Sequence, residues 1–147
     1  MSSVTQMTAA LEAIVTATAA DFSPAAWGVD FAHNTFKGAN KKFSVLPLGF
    51  DQVEGVTRAL TCKQRFQLTL SNAWVSSQVG DAGKRAVTAD LQEVALQCLQ
   101  AIIEAKGGAA GIMQVNEGRM QDPLYLEESK VVTIVAEFAL TYRRLLV

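Results

Sequence analysis

Hydrophobic residues repeat with two different periods along this chain, and the two periods fall in separate segments. Helical spacing, with apolar residues every three or four positions, covers residues 3–19 and reappears from about Thr88 to Lys106. We therefore predict two amphipathic helices. In the second, the pattern is unbroken at Leu91, Val94, Ala95, Cys98, Leu99, Ile102 and Ile103.

Both predicted helices have residues that suit their ends. Ser2 or Ser3 can cap the first helix, and Pro24 cannot continue it. Thr88 can cap the second helix, and Gly107 can end it because glycine readily adopts positive φ. The Gly-rich stretch after this helix is thus interpreted as a cap and turn, since a phosphate-binding loop would precede a helix.

Alternating apolar and polar residues predict the strands. Residues 58–74 alternate most clearly, and a shorter strand is predicted around Phe43–Leu48, where Pro47 indicates an edge or a break. Residues 111–128 are interpreted as a strand, a loop and a short extended piece, and residues 130–147 alternate for longer than an ordinary strand. In the clearest strand one face holds Leu60, Cys62, Phe66, Leu68 and Leu70, and the other holds Thr61, Lys63, Arg65, Gln67, Thr69 and Ser71.

The order of these elements predicts the fold class. Helix, strands, helix and strands in succession indicate an α+β domain, with an antiparallel or mixed sheet and two main helices packed on one face. The 147 residues suffice for one domain with a single core. A long loop is predicted at about residues 21–42, and a second polar loop covers residues 75–85.

Composition favours a subunit of an assembly. Half of the residues are hydrophobic and only 18% are charged, so a small monomer would have difficulty covering its surface with polar groups. The net charge is −1, but residues 37–85 hold eight basic and three acidic side chains. This basic middle lies between acidic ends, which suits head-to-tail contact between copies or a single basic face. Solvated charges without any arrangement are the plainer alternative.

No group of residues indicates catalysis. The single histidine, His33, lies in the first loop three residues after Asp30, and a solvated or packed loop histidine is the simplest interpretation. Cys62 and Cys98 lie on the apolar faces of separate elements, so we expect free thiols in the core. We therefore predict no enzyme activity, no catalytic residues, no cofactor and no metal site.

Basic side chains are the only candidate functional residues. They are candidates for facing a partner or the lumen of an assembly, as part of a face that tolerates passing duplex DNA or meets an acidic partner. No aromatic residues interleave with them, which argues against stacking on single-stranded bases. An ordinary solvated sheet face remains the alternative. The candidates are Lys63, Arg65, Lys84, Arg85, Arg143 and Arg144.

Two segments, "ADLQEVALQCLQAIIEA" and "VVTIVAEFALTYRRL", carry a resemblance to a known family. In their order within the chain they resemble the tail terminator proteins of long-tailed bacteriophages. The resemblance implies a non-enzymatic virion protein of the tail or neck, assembled in the host cytoplasm. It further implies a hexameric ring that caps the tail tube, meets a head-side connector or stopper, and encloses a channel for DNA. The family has no catalytic residues to carry over.

Other functions remain open at this point. Another head–tail joining protein, such as a connector or stopper, or a tail tube subunit would share much of this layout. A small ligand-binding or enzymatic α+β domain is the alternative from a different class. The first twenty residues lack the basic start and apolar run of a signal peptide, and no segment is long and apolar enough to predict a membrane span.

Overall fold

The fold is one β-sheet with two helices packed against it, which confirms the predicted α+β class. The computed structural model describes residues 3–25, 41–74, 82–127 and 130–145. Within them the chain forms, in order, α1 (Val4–Thr18), β1 (Ser23–Pro24), β2 (Lys42–Val56), β3 (Ala59–Ala73), α2 (Ala82–Glu104), β4 (Ile112–Met120), β5 (Leu124–Leu126) and β6 (Val131–Leu145).

The sheet is mixed but almost entirely antiparallel. Its strand order is β1-β2-β3-β6-β4, and β5 pairs with β6 beyond the end of β4. Only the two-residue β1 runs parallel to its neighbour. Because β1 covers β2 only at Lys42 and Phe43, the rest of β2 forms one lateral edge of the described sheet, and β4 forms the opposite edge.

Strands β2 and β3 form a long hairpin with the two-residue turn Thr57–Arg58. Strand β2 runs to Val56, well past the predicted end at Leu48. Two register shifts, between Pro47 and Phe50 and between Phe50 and Gln52, explain the error. They break the two-residue alternation on which the sequence prediction depended.

A buried polar pair supports the first register shift. Gln64 is a polar residue among the apolar positions of β3, and only 2% of its surface is exposed. Its side-chain amide donates a hydrogen bond of 3.0 Å to the Leu48 carbonyl, and it accepts one of 2.6 Å from the Tyr142 hydroxyl. Gln64 thus ties the irregular part of β2 to β6.

Strand β6 lies in the middle of the sheet and confirms the predicted long closing strand. It pairs with β3 from Val131 to Leu145 and with β4 and β5 along its other side. Val131, Val135 and Ala139 point away from the helices yet are buried, as are their neighbours on the helix side. Burial on both faces explains why the sequence of this strand alternates only partly between apolar and polar residues.

Helix α1 begins as predicted. The Ser3 side chain accepts a hydrogen bond from the Gln6 amide, and the Gln6 side chain accepts one from the Ser3 amide, which forms a complete capping box. Met7, Leu11 and Val15 are fully buried against the sheet and α2.

Helix α2 begins earlier than predicted. It starts at Ala82, and the Thr88 hydroxyl donates to the Lys84 carbonyl within the helix instead of capping it. Small and polar residues make up most of this first turn, so hydrophobic periodicity could not detect it. The helix ends at Glu104, and Gly107 with φ of 78° lies in the following turn, as predicted.

Within the described residues, strands and α2 take up the ends of both predicted loops, so the loops are shorter than expected. Ser23, Pro24 and Lys42 belong to strands, and Ala82 to Arg85 belong to α2. Residues 26–40 and 75–81 lie outside the described residues, and with them His33 and Asp30. The core lies between the helices and one face of the sheet, and it includes Cys62 and Cys98, which are buried free thiols as predicted.

Candidate assembly surfaces

The candidate basic residues of β3 lie on the sheet face that points away from the helices. Arg65 Nε lies 3.1 Å from Asp51 Oδ1 on β2, and both side chains are more than one-third exposed. Lys63 is two residues earlier on the same face, and it is partly buried. An exposed ion pair of this kind contributes little to stability, about 0–1 kcal/mol, because water screens both charges.

The same face is not solvated along its whole length. Thr69, Ser71, Thr133 and Val135 are all buried, although the alternation of β3 had predicted a polar, exposed surface. Alternation identifies residues that share a face, but it does not reveal what covers that face. The predicted solvated face is therefore correct for Arg65 and wrong for the Ala73 end of the strand.

Lys84 and Arg85 lie in α2 rather than in a loop. Lys84 Nζ pairs with the Glu127 carboxylate and lies 4.3 Å from the Tyr125 ring centre and 5.5 Å from that of Trp74. The Thr88 hydroxyl lies 3.1 Å from the Tyr125 hydroxyl. These contacts fix the start of α2 to β5, so Lys84 has a structural role in the isolated chain.

The last two candidates are exposed at the end of β6 but point to opposite faces of the sheet. Arg143 pairs with Thr61 on the face away from the helices, and Arg144 pairs with Leu60 on the helix face. Lys63, Arg65 and Arg143 therefore share one face. Arg144, Lys84 and Arg85 do not join them.

Uncovered apolar residues form a first surface on β2. Phe50 and Val53 are 46% and 52% exposed. They pair with Gln64 and Cys62, so they lie on the helix side of the sheet. Residues of α1 from Val4 to Glu12 line a hollow with Pro47, and Phe50 and Val53 follow Pro47 along β2. We call Phe50 and Val53 the β2 patch.

A second uncovered apolar surface lies at the opposite side of the molecule. Leu96 and Ile103 of α2 are 53% and 54% exposed, and Met113 of β4 is 40% exposed. Leu99 lies between them on the helix and approaches Gly118 of β4. Ile103 was predicted to face the core, and its exposure corrects that prediction. We call Leu96, Ile103 and Met113 the α2–β4 patch.

The described residues offer little for catalysis. No group of three His, Cys, Asp or Glu side chains in residues 3–25, 41–74, 82–127 and 130–145 is placed to hold a metal ion. Burial raises the pKa of the Cys98 thiol to about 11 and also raises that of Cys62, so neither is a ready thiolate at neutral pH. Within the same ranges, neither helix has the length and hydrophobicity needed to cross a membrane.

Comparison with known proteins adds no relative. No protein-family model matches the sequence, and no curated protein matches it. The two apolar patches and the sheet edges beside them are therefore the features that bear on function.

Proposed function

We propose that this protein is a non-enzymatic structural subunit that assembles with copies of itself into a ring. Within that class, we propose a tail terminator of a long-tailed bacteriophage. In this role the ring caps the tail tube and presents a surface to the head-side connector or stopper.

The observation that carries the assembly proposal is the state of the two sheet edges. Each edge of the described sheet combines a strand that lacks a neighbour with apolar side chains that are about half exposed. Exposed edge strands readily pair with another chain, and exposed apolar patches mark interaction surfaces. Neighbours on both sides would cover both edges, as happens in a closed ring.

The more specific role is supported by the resemblance in element order and by charge. One sheet face carries four bases and three carboxylates, a net charge of +1, with no aromatic side chain among them: Lys63, Arg65, Arg119 and Arg143, and Asp51, Glu54 and Glu137. A weakly basic face without stacking groups is compatible with duplex DNA passing by without sequence recognition. Such a face would line or approach the channel of the ring.

Light scattering coupled to size exclusion, followed by negative-stain microscopy, tests the assembly proposal. We expect a concentration-dependent particle of ring shape with a central channel, about six times the mass of the chain if the family's hexamer is formed. A strict monomer at every concentration would contradict the ring.

A second experiment tests the terminator role. Purified protein is added to polymerising tail tube subunits, and tube lengths and ends are imaged. We expect a ring at one end of each tube and an arrest of elongation. A ring that ignores tube ends would instead favour another neck protein, such as a connector or stopper.

A further inference from the structure

The structure points to a specific contact between copies, and this inference rests on the proposed assembly. We propose that the β2 edge of one copy seats against the α2–β4 edge of the next copy in a head-to-tail arrangement. The β2 patch is then covered by the α2–β4 patch of the neighbour. The occupant of each edge is a second copy of this chain.

Strand register places the two patches at the same height in the sheet. Val53 pairs with Cys62, Cys62 pairs with Tyr142, and Tyr142 pairs with Ile112. Val53 on one edge is therefore level with Ile112, the neighbour of Met113, on the other edge. Along the same row, Phe50 is level with Val115 through Gln64 and Leu140.

Strand direction also fits a head-to-tail contact. Three antiparallel steps separate β2 from β4, so the two edge strands run in opposite directions. When a second copy is placed beside the first in the same orientation, its β2 lies antiparallel to β4 of the first. Each copy then extends the sheet of its neighbour by ordinary antiparallel pairing.

The free portions of the two edges match along their length. Strand β4, Ile112–Met120, is level with the part of β2 that β1 leaves open. β1 and β5 both lie at the other end of the sheet, where β1 pairs with Lys42 and Phe43, and β5 pairs with Val131 to Thr133. Neither short strand blocks the proposed contact.

The two edges are also complementary in how the helices cover them. Helix α1 packs on the β2 side of the sheet and lines a hollow with Pro47, whereas Phe50 and Val53 farther along β2 are exposed; α2 packs over β3, β6 and β4. Leu96 and Ile103 are the exposed large apolar residues of α2. The end of α2 lies close to the start of β4, because the Gly107 amide donates a hydrogen bond to the Ile112 carbonyl. The α2 of one copy would supply the cover that Phe50 and Val53 of the next copy lack.

Charge favours this contact over a two-fold pairing of β2 with itself. Residues 44–56 contain Asp51 and Glu54 and no base, whereas residues 106–120 contain Lys106, Arg119 and Glu117. A symmetric contact between residues 44–56 of two copies would bring four carboxylates together with no base in either segment. The head-to-tail contact places a net −2 segment beside a net +1 segment.

The size of the contact is adequate for a specific interface. A nine-residue strand such as β4 is about 30 Å long, and a sheet with one helix layer is about 20 Å thick. The contact therefore covers roughly 600 Å² on each copy. The total buried area, roughly 1,200 Å², is at the lower end of the range for stable protein interfaces. Closure of a ring adds a second such contact to every copy.

Two single substitutions, one on each edge, test the contact. In Val53→Asp the β2 edge is disabled and the α2–β4 edge is intact, and in Ile103→Asp the reverse holds. We expect each variant alone to be a folded monomer by light scattering and circular dichroism. Mixed in equal amounts, the two variants should form a 1:1 dimer and no larger particle. The intact β2 edge of Ile103→Asp can pair with the intact α2–β4 edge of Val53→Asp, and the two remaining edges are both disabled.

Leu124→Asp is the matched control. Leu124 is 55% exposed, but it lies on β5 at the other end of the sheet and faces away from the helices. This variant should assemble as the unmodified protein does. If it failed to assemble while folded, an added carboxylate anywhere would suffice to disrupt the particle, and the assignment to these edges would be overturned.

Other outcomes separate this inference from the proposed function. If both edge variants assemble normally, the contact is elsewhere and the ring proposal stands. If Ile103→Asp alone forms a dimer, β2 pairs with itself and the head-to-tail contact is overturned. If the unmodified protein is monomeric at every concentration, the proposed assembly itself fails.

Cysteine cross-linking provides a second measurement should Val53→Asp fail to fold. Val53→Cys and Met113→Cys variants are mixed under mild oxidation, with the native thiols buried and poorly reactive. A disulfide-linked dimer should form between the two variants and not within either one alone. Cross-linking of Val53→Cys to itself would overturn the proposal.

Discussion

At the scale of single residues, Gln64 shows why a polar group can be required inside an apolar face. The register shift after Pro47 directs the Leu48 carbonyl toward β3, where the Gln64 amide binds it. The opposite end of the same amide accepts the Tyr142 hydroxyl. Both ends of the side chain are satisfied, so its burial costs little and the position discriminates against a shifted register.

Replacing Gln64 by Leu should destabilise the fold through the groups it leaves behind. The buried Tyr142 hydroxyl loses its acceptor, and an unsatisfied buried polar group costs about 1–3 kcal/mol. Denaturant unfolding measures the loss. The double variant Gln64→Leu with Tyr142→Phe should recover part of it, because both partners are then apolar; purely additive losses would contradict the pairing.

Cys98 predicts a dependence of stability on alkaline pH. Burial raises the pKa of its thiol from 9.0 to about 11 in the folded chain, whereas the unfolded thiol ionises nearer its ordinary value. The unfolded state therefore loses its proton first, and the free energy of unfolding should fall between pH 9 and 11, by up to about 3 kcal/mol from this group. The free energy of unfolding of Cys98→Ala should fall less over the same pH range. An equal dependence on pH in both proteins would contradict a contribution from the Cys98 thiol.

At the scale of elements, α2 shows how a helix can serve a core and a surface together. Leu91, Ala95, Cys98 and Ile102 are buried at helical spacing, and the stripe widens to include the exposed Leu96 and Ile103. A core-facing helix needs only the first set. The additional apolar residues lie beside β4, where the described chain provides no cover for them.

The adjacent residues Ile102 and Ile103 form a natural test pair. Ile102→Asp places a carboxylate at a fully buried position and should unfold the domain. Ile103→Asp changes a half-exposed side chain and, in dilute samples where neither protein is assembled, should leave the melting temperature within a few degrees of the original, as is usual for surface positions. Circular dichroism and thermal melts distinguish the two, and soluble, folded Ile102→Asp would refute the placement of α2.

The outer face of β3 gives a second test at this scale. Lys63→Glu combined with Arg65→Glu should leave folding intact, because only the exposed pair with Asp51 is lost. If the protein lines a DNA channel with this face, the double variant should still form rings but impair DNA passage in assembled particles. Failure to fold would show that the strand register is wrong.

At the scale of the whole molecule, the described chain is a sheet with helices on one face and two unfinished edges. The helices cover the core, and β6 is enclosed on both faces. The low charge content indicated that part of the exterior would be hidden, and the structure locates the uncovered apolar residues at the β2 and β4 edges.

Hydrogen exchange should report the completion of these edges. On assembly, the amides of residues 44–56 and of Ile112–Met120 should exchange more slowly, because half of them gain hydrogen-bond partners. Amides of β3, which is already paired on both sides, should change little. Exchange rates in dilute and concentrated samples give the change on assembly. Protection confined to other segments would contradict an edge-to-edge contact.

The amino-acid sequence by itself determined the elements with strong periodicity. The Ser3 cap, the core stripe of α2, the apolar face of β3 and the long strand β6 could all be predicted, because helices and strands impose fixed spacings on buried residues. The α+β class followed from their order. The extension of β2 could not be predicted, since two register shifts remove the alternation that signals a strand.

Only the tertiary structure decided which apolar residues stay uncovered and where they lie. Ile103 and Ile102 look equivalent in the helical pattern, yet one is exposed and one is buried, because the position of β4 sets the limit of cover. The common height of Val53 and Ile112 depends on pairing through β3 and β6, which are far apart in sequence. Spacing along a chain specifies a face, whereas coverage of that face depends on every element packed around it.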